Sequence, residues 1–134
     1  MKEVKVDYSV VEALTLSEIV EEYQQADIVT LVSTNEGFGM PIVEAQWMER
    51  VVITSSVSSM PEVAGNGALF VNPFDVADIR AGLLRLMEDA ELRSSLIEQG
   101  RINRARFEAE KVSAQYAELY RRVFEESQTF QTTS

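Results

Sequence analysis

The chain has 134 residues, 46% of them hydrophobic and 25% charged, which is enough for one domain with a genuine core but short for a two-lobed enzyme. Its net charge of −10 argues against non-specific nucleic-acid binding, which depends on Lys and Arg neutralising phosphates. The absence of Cys and His excludes a disulfide framework, a thiol nucleophile, an imidazole base and the common zinc sites.

No apolar run approaches the length of a bilayer span, and Met1-Lys2-Glu3-Val4-Lys5 leads into a polar segment rather than a signal peptide. A cytoplasmic location is the default expectation. Val4 to Tyr8 alternates apolar and polar residues and suggests a short strand. Thr15-Leu16-Ser17-Glu18 matches a capping box, and Leu16, Ile19, Val20 and Tyr23 then form a helical stripe ending near Gln25. Ala26 to Val32 is rich in β-branched residues and predicts a buried strand ending near Ser33. Ser33 to Gly37 form the loop at its C-terminal end. Pro41 fits a first helical turn, so the next helix starts around Gly39 or Met40 and runs to about Met48.

Val51 to Thr54 form another buried strand, followed by the serine-rich loop Ser55 to Ser59. Pro61-Glu62-Val63 reads as a helical turn of architectural role, with Glu62 near an N-terminus that favours a carboxylate. Ala68 to Val71 form a fourth strand. Asp75 caps a helix carrying Val76, Ile79, Leu83, Leu86 and Met87. After a break near Asp89-Ala90 come Leu92, Leu96 and Ile97, with Gly100 expected as a C-cap. A last helix carries Val112, Tyr116, Leu119, Tyr120 and Val123, and the polar stretch 128–134 is expected to be a disordered tail beyond a domain of residues 1–127. Strands alternating with helices imply an α/β fold with a parallel sheet of about four strands and right-handed crossovers. Most of the twelve basic residues fall in the C-terminal half, interleaved with acids, the pattern of a solvated helical face.

The chemistry concentrates in Glu36-Gly37-Phe38-Gly39-Met40-Pro41-Ile42-Val43-Glu44. Gly37 and Gly39 remove side chains where a ligand can approach the backbone, and the free amides and dipole of the first helical turn favour an anion such as a diphosphate. Glu44 lies roughly 7 Å along the helix from Gly39, at about 1.5 Å per residue. An ionised carboxylate only accepts hydrogen bonds, so it suits hydroxyls and is repelled by phosphate. Ribose hydroxyls are the candidates for Glu44 and sugar hydroxyls for Glu36. Against this stands a plainer alternative: a turn that buries Phe38 in the core and a solvated Glu44.

At these residues the chain resembles the retaining glycosyltransferases of GT-B fold, especially the group called family 4 or group 1. The resemblance runs from Ser33 through the Glu-x7-Glu motif with its Gly-Phe-Gly-x-Pro, then Val51-Val52-Ile53, Met60-Pro61-Glu62-Val63 and Gly67-Ala68-Leu69-Phe70-Val71-Asn72-Pro73, into the final helices. It departs from the family at Val32, where a Pro is frequent, and at Glu49 and Val51, where Gly and Pro are frequent. The resemblance implies part of a Rossmann-like C-terminal domain that binds a nucleotide-sugar donor. Glu36 would contact the donor sugar, and would be the one residue at the reacting centre. The backbone of Gly37, Phe38 and Gly39 would border sugar and diphosphate, Met40 and Pro41 would shape the phosphate end, and Glu44 would bind ribose.

No metal or cofactor is implied, since the nucleotide sugar is the substrate. The family's basic pair that neutralises the diphosphate, and its acceptor-binding N-terminal domain, have no match in this chain. Those missing parts are the implied partners, and the resemblance suggests polysaccharide or glycolipid assembly, in the full enzyme at the inner face of a membrane. The isolated chain is then expected to be inactive, and the motif strand to expose an edge open to homodimerisation or to the first strand. A free-standing nucleotide-sugar-binding or partner-binding module, or a structural piece with no ligand, are the other readings.

Overall fold

The computed structural model of the chain describes residues 6–131, with side chains as far as Gln128. Three short parallel strands run through its centre: β1 (Ile28–Leu31), β2 (Val51–Ser55) and β3 (Leu69–Val71), in the order β1-β2-β3. Ile28 pairs with Val51 and Leu31 with Thr54, while Ile53 pairs with Leu69 and Ser55 with Val71. All five residues of the middle strand are buried, as expected of a parallel strand covered on both faces.

The helices are α1 (Leu16–Gln25), α2 (Met40–Trp47), α3 (Met60–Ala64), α4 (Val76–Glu88), α5 (Ala90–Arg104) and α6 (Ala109–Gln131), with a 3-10 turn at Ala105–Phe107. Alternation along β2 sorts the core. Val52 packs with Ile42, Val43, Ala45, Met60, Val63 and Ala64 on the α2 and α3 side, and Val51 and Ile53 pack with Val71, Leu86 and Leu96 on the α4 and α5 side. The α/β architecture expected from the sequence is therefore present.

Local chemistry sets the helix starts. Thr15 and Glu18 complete the capping box of α1, with the Thr15 amide donating to the Glu18 carboxylate at 2.7 Å. Asp75 accepts from the amides of Ala77 and Asp78, and Asp89 both ends α4 and accepts from Leu92 N at 2.8 Å to start α5. The basic side chains are used similarly at helix ends. Arg93 donates to the carbonyls of Leu86 and Met87, and Arg104 to those of Gln46 and Trp47 while lying 4.9 Å over the Trp47 ring. These arginines are not merely a solvated face.

Three expectations need correction. The sheet has three strands rather than four: Val4 and Lys5 lie outside the described residues, and Val6 to Val10 form no ladder. Val6 and Tyr8, 70% and 81% exposed, bury nothing, so their alternation has no sheet face to serve. Gly100 does not cap α5 but lies buried inside it. A Cβ added at Gly67 would stand 2.6 Å from the Gly100 Cα, so the small residue there permits close packing rather than ending the helix. Helix α6 continues through Gln131, into the segment expected to be a disordered tail; Thr132 to Ser134 lie outside the described residues.

A buried amide pair joins the layers. Gln46 Nε2 donates to the carbonyls of Ala64 and Gly67 at 3.0 and 3.3 Å, and its Oε1 accepts from Asn103 Nδ2 at 2.8 Å. Asn103 also donates to Val63 O and accepts from Arg106. Every polar atom of the Gln46 side chain is satisfied where water is excluded, so truncation leaves partners stranded. Gln46→Ala is expected to destabilise the fold by about 2–4 kcal/mol, read as a lower urea midpoint at unchanged m-value.

Candidate functional site

The motif loop joins the C-terminal end of β1 to α2, and hydroxyls from the following strand and loop bind it in place. Thr54 Oγ1 donates to Leu31 O at 2.8 Å and Ser55 Oγ to Ser33 O at 2.5 Å. Ser59 Oγ lies 3.0 Å from the carbonyls of both Glu36 and Phe38, and Ser58 Oγ lies 3.0 Å from Glu36 O while accepting the Glu36 amide at 3.3 Å. Among the described residues all peptide bonds are trans, so the amide that follows each carbonyl points the opposite way. With the Glu36 and Phe38 carbonyls turned to the serines, the amides of Gly37 and Gly39 point away from them.

Gly39 has φ +97° and caps α2 without any side-chain hydrogen bond. A side chain there would be strained by the backbone and crowd Ile42. Gly37 differs: a Cβ at this position would meet nothing within 4 Å. The fold's own packing does not demand glycine at Gly37, so its bare backbone is free to meet something else. Met40 and Pro41 form the first turn of α2, Met40 being 54% exposed beside the loop.

Both motif carboxylates are half-buried and each is tethered at one oxygen. Ser33 Oγ donates to Glu36 Oε1 at 2.8 Å. Tyr23 OH, on α1, donates to Glu44 Oε2 at 2.7 Å. Burial and the neighbouring Glu44 carboxylate together push the Tyr23 phenol well above its ordinary value of 10.0. The alternative of a solvated Glu44 therefore does not hold, and neither does a core Phe38. The Phe38 ring is 41% exposed and meets Phe107 edge-on at 5.7 Å.

That contact places Phe38 at one end of a separate groove of about 740 Å³, lined by Glu62, Ile102, Arg106, Phe107, Lys111 and Tyr116 among others. It shares only Phe38 with the motif, and its other walls come from α3, α5, the 3-10 turn and α6. The glycines, the free helix terminus and both motif carboxylates lie at the loop and along α2, so the candidate site is the loop and not the groove. Sequence reasoning missed Tyr23, Ser58 and Ser59. Tyr23 belongs to a packing stripe, and the serines are marked only by being polar in a loop; both acquire partners more than 20 residues away.

Residues 2–103 match the family described as glycosyl transferases group 1. The chain belongs to that family. The "O-antigen chain mannosyltransferase B" of Escherichia coli is 33% identical over 99 residues, covering 74% of this chain and 26% of the relative. The "D-inositol 3-phosphate glycosyltransferase" of Corynebacterium urealyticum is 31% identical over 106 residues, covering 78% and 25% respectively. Among solved structures, the sucrose-phosphate synthase of Thermosynechococcus elongatus superposes with a TM-score of 0.75 at 25% identity, covering 86% of this chain and 30% of that one. The chain thus spans about a quarter of the length of the curated relatives it matches. Among the described residues, no helix is long and apolar enough to cross a membrane.

The Tyr23–Glu44 pair makes stability depend on alkaline pH. A phenol whose folded pKa is raised contributes stability that is fully present below its unfolded pKa and lost as pH rises beyond it. Between about pH 8 and about pH 11, the urea midpoint of the wild type is expected to fall more steeply than that of Tyr23→Phe, which lacks the titrating hydroxyl. Parallel pH profiles for the two proteins would refute the link.

Proposed function

We propose that this group 1 domain is the donor-binding part of a retaining glycosyltransferase that moves a hexosyl group from a nucleotide sugar to an acceptor held elsewhere in a longer protein. One observation carries the reading: a glycine loop whose carbonyls are tied back to Ser58 and Ser59, leaving its amides directed away from them at the head of α2, between two tethered carboxylates. Phosphate oxygens suit the amides and the helix dipole. Hydroxyls suit the acids. Glu36 takes the donor sugar, the backbone of Gly37, Phe38 and Gly39 borders sugar and diphosphate, Met40 and Pro41 shape the phosphate end, and Glu44 takes ribose.

In this reading neither acid shuttles a proton. The acceptor oxygen forms its bond to the anomeric carbon on the face from which the diphosphate departs, the leaving oxygen carries off the bonding electrons, and the acceptor's proton passes to the departing diphosphate. Fixed amides aimed at that developing charge lower the barrier without reorganising. No cofactor or metal is invoked. The relative named "O-antigen chain mannosyltransferase B" supports hexosyl transfer; polysaccharide or glycolipid assembly at the inner face of a membrane is part of the same proposal.

Titration with nucleoside diphosphates and their sugars tests the reading. The chain alone is expected to bind weakly and to transfer nothing, because its described residues match neither the basic pair for the diphosphate nor the acceptor site that the resemblance implies. Glu44→Ala should weaken binding about 10- to 100-fold. Gly37→Ala is the sharper variant: folding is unchanged or strengthened by up to about 1 kcal/mol, while the added methyl obstructs the ligand. Undiminished affinity in Gly37→Ala, or robust turnover by the chain alone, would count against the proposal.

The outer edge of β1 pairs with nothing among the described residues. In the longer protein we assign its cover to other strands of the same domain; in the isolated chain a second copy takes their place. Sedimentation is expected to reveal a concentration-dependent dimer, and a strictly monomeric species would remove that option.

A further inference from the structure

Helix α1 carries no residue of the Glu-x7-Glu motif, yet it reaches the motif through a single side chain. The Tyr23 ring packs against the core cluster beneath α2, and its hydroxyl donates to Glu44 Oε2 at 2.7 Å. A glutamate side chain has three rotatable bonds and, on an open helix face, samples several rotamers. Here one oxygen is anchored by a rigid, half-buried ring, which restricts both the position and the plane of the carboxylate.

We propose that Tyr23 is the positioning residue for ribose recognition: its hydroxyl fixes the Glu44 carboxylate so that Oε1 is presented to a vicinal diol, giving the site its preference for ribonucleotides. The inference rests on the assignment of Glu44 to ribose made above. It adds the source of that residue's precision. The donor type matters, because a Lys or Arg in the same place would pair with the carboxylate and compete for the lone pairs a diol needs. A phenol contributes one neutral hydrogen bond and leaves the remaining acceptor positions open. The hydroxyl stays protonated at neutral pH, since burial and Glu44 raise its pKa, so it acts as a donor throughout the physiological range.

This role differs from mere packing in one measurable way. Loosening α1 against α2 would weaken every nucleotide alike, whereas a misaligned carboxylate penalises only ligands that carry the hydroxyls it reads. The experiment titrates the full chain, by ligand-observed NMR, with uridine, guanosine and adenosine diphosphates and with their 2′,3′-dideoxy counterparts. Wild type, Tyr23→Phe, Glu44→Ala and the double variant are compared. Tyr23→Phe keeps the ring and hence the packing, and a matching urea midpoint at neutral pH confirms that the fold is retained to within the loss of one hydrogen bond.

The expected result is a preference for ribose over dideoxyribose in wild type that drops about tenfold in Tyr23→Phe, with dideoxy affinity unchanged. The double variant should be no weaker than Glu44→Ala alone, because Tyr23 acts through that carboxylate. A wild-type preference that survives Tyr23→Phe overturns this inference and leaves the donor reading standing. So does equal loss for ribose and dideoxyribose ligands. Absence of any ribose preference in the wild type overturns the assignment of Glu44, and this inference with it.

Discussion

The position of α2 is the constraint on which the rest of the structure depends, and the buried Gln46–Asn103 amide pair is what sets it. Gln46 is the penultimate residue of α2 and reaches the carbonyls of Ala64 and Gly67, while Asn103 holds Gln46 from α5 and Val63 from α3. Three chain segments are thereby fixed to one side chain. Amide-to-carbonyl bonds are directional, so they define the rotation of α2 about its axis more sharply than its apolar contacts do. That rotation determines where Glu44, two residues earlier, points. Gly67 and Gly100 belong to the same arrangement, since a Cβ on Gly67 would sit 2.6 Å from Gln46 Nε2.

At the other end of α2 the problem is orientation of peptide planes rather than of a helix. A glycine-rich loop is entropically costly to order and could present either carbonyls or amides to its surroundings. The hydroxyls of Thr54, Ser55, Ser58 and Ser59 settle the choice by taking carbonyls of Leu31, Ser33, Glu36 and Phe38. Because β1 and β2 are parallel neighbours, their C-terminal ends lie side by side, and short side chains after β2 suffice to reach the loop after β1. The general placement of ligands outside the carboxyl ends of strands in open α/β sheets follows from this geometry.

How much of this was legible in the sequence depended on the range of the interaction. The capping box at Thr15, the entry of α2 at Pro41 and the cap at Asp75 are all local features spanning no more than four residues, and each is legible in the sequence. Gly100 was misread because helix-ending and close-packing glycines look alike until the opposing surface, here Gly67 and Gln46, is known. The Val4 to Tyr8 alternation was over-read for a related reason: period-two patterning has meaning only where a sheet edge and a core are present to use it. Tyr23 was assigned to a packing stripe, and its ring does pack. Its hydroxyl role could not be seen, because sequence spacing does not say which way a residue 21 positions away faces. The glutamates themselves were visible only as part of an ordered series of motif, strand and turn, since acidic residues on helices are ordinarily solvated.

The charge balance bears on why such a site needs its geometry. A chain of net charge −10 repels a nucleoside diphosphate out to about a Debye length, and Arg93, Arg101, Arg104 and Arg106 are engaged with carbonyls or with Glu49. Attraction must therefore be short-ranged, from oriented amides and the helix terminus, which act over the first turn only. The two carboxylates that flank the proposed anion site are each fixed at one oxygen by a neutral hydroxyl, Ser33 or Tyr23. On the donor-binding proposal, the arrangement separates acceptors from donors along one ligand: amides where the ligand is anionic, acids where it offers hydroxyls. Such matching discriminates by hydrogen-bond polarity at each point, and it works only if no carboxylate is free to swing toward the phosphates.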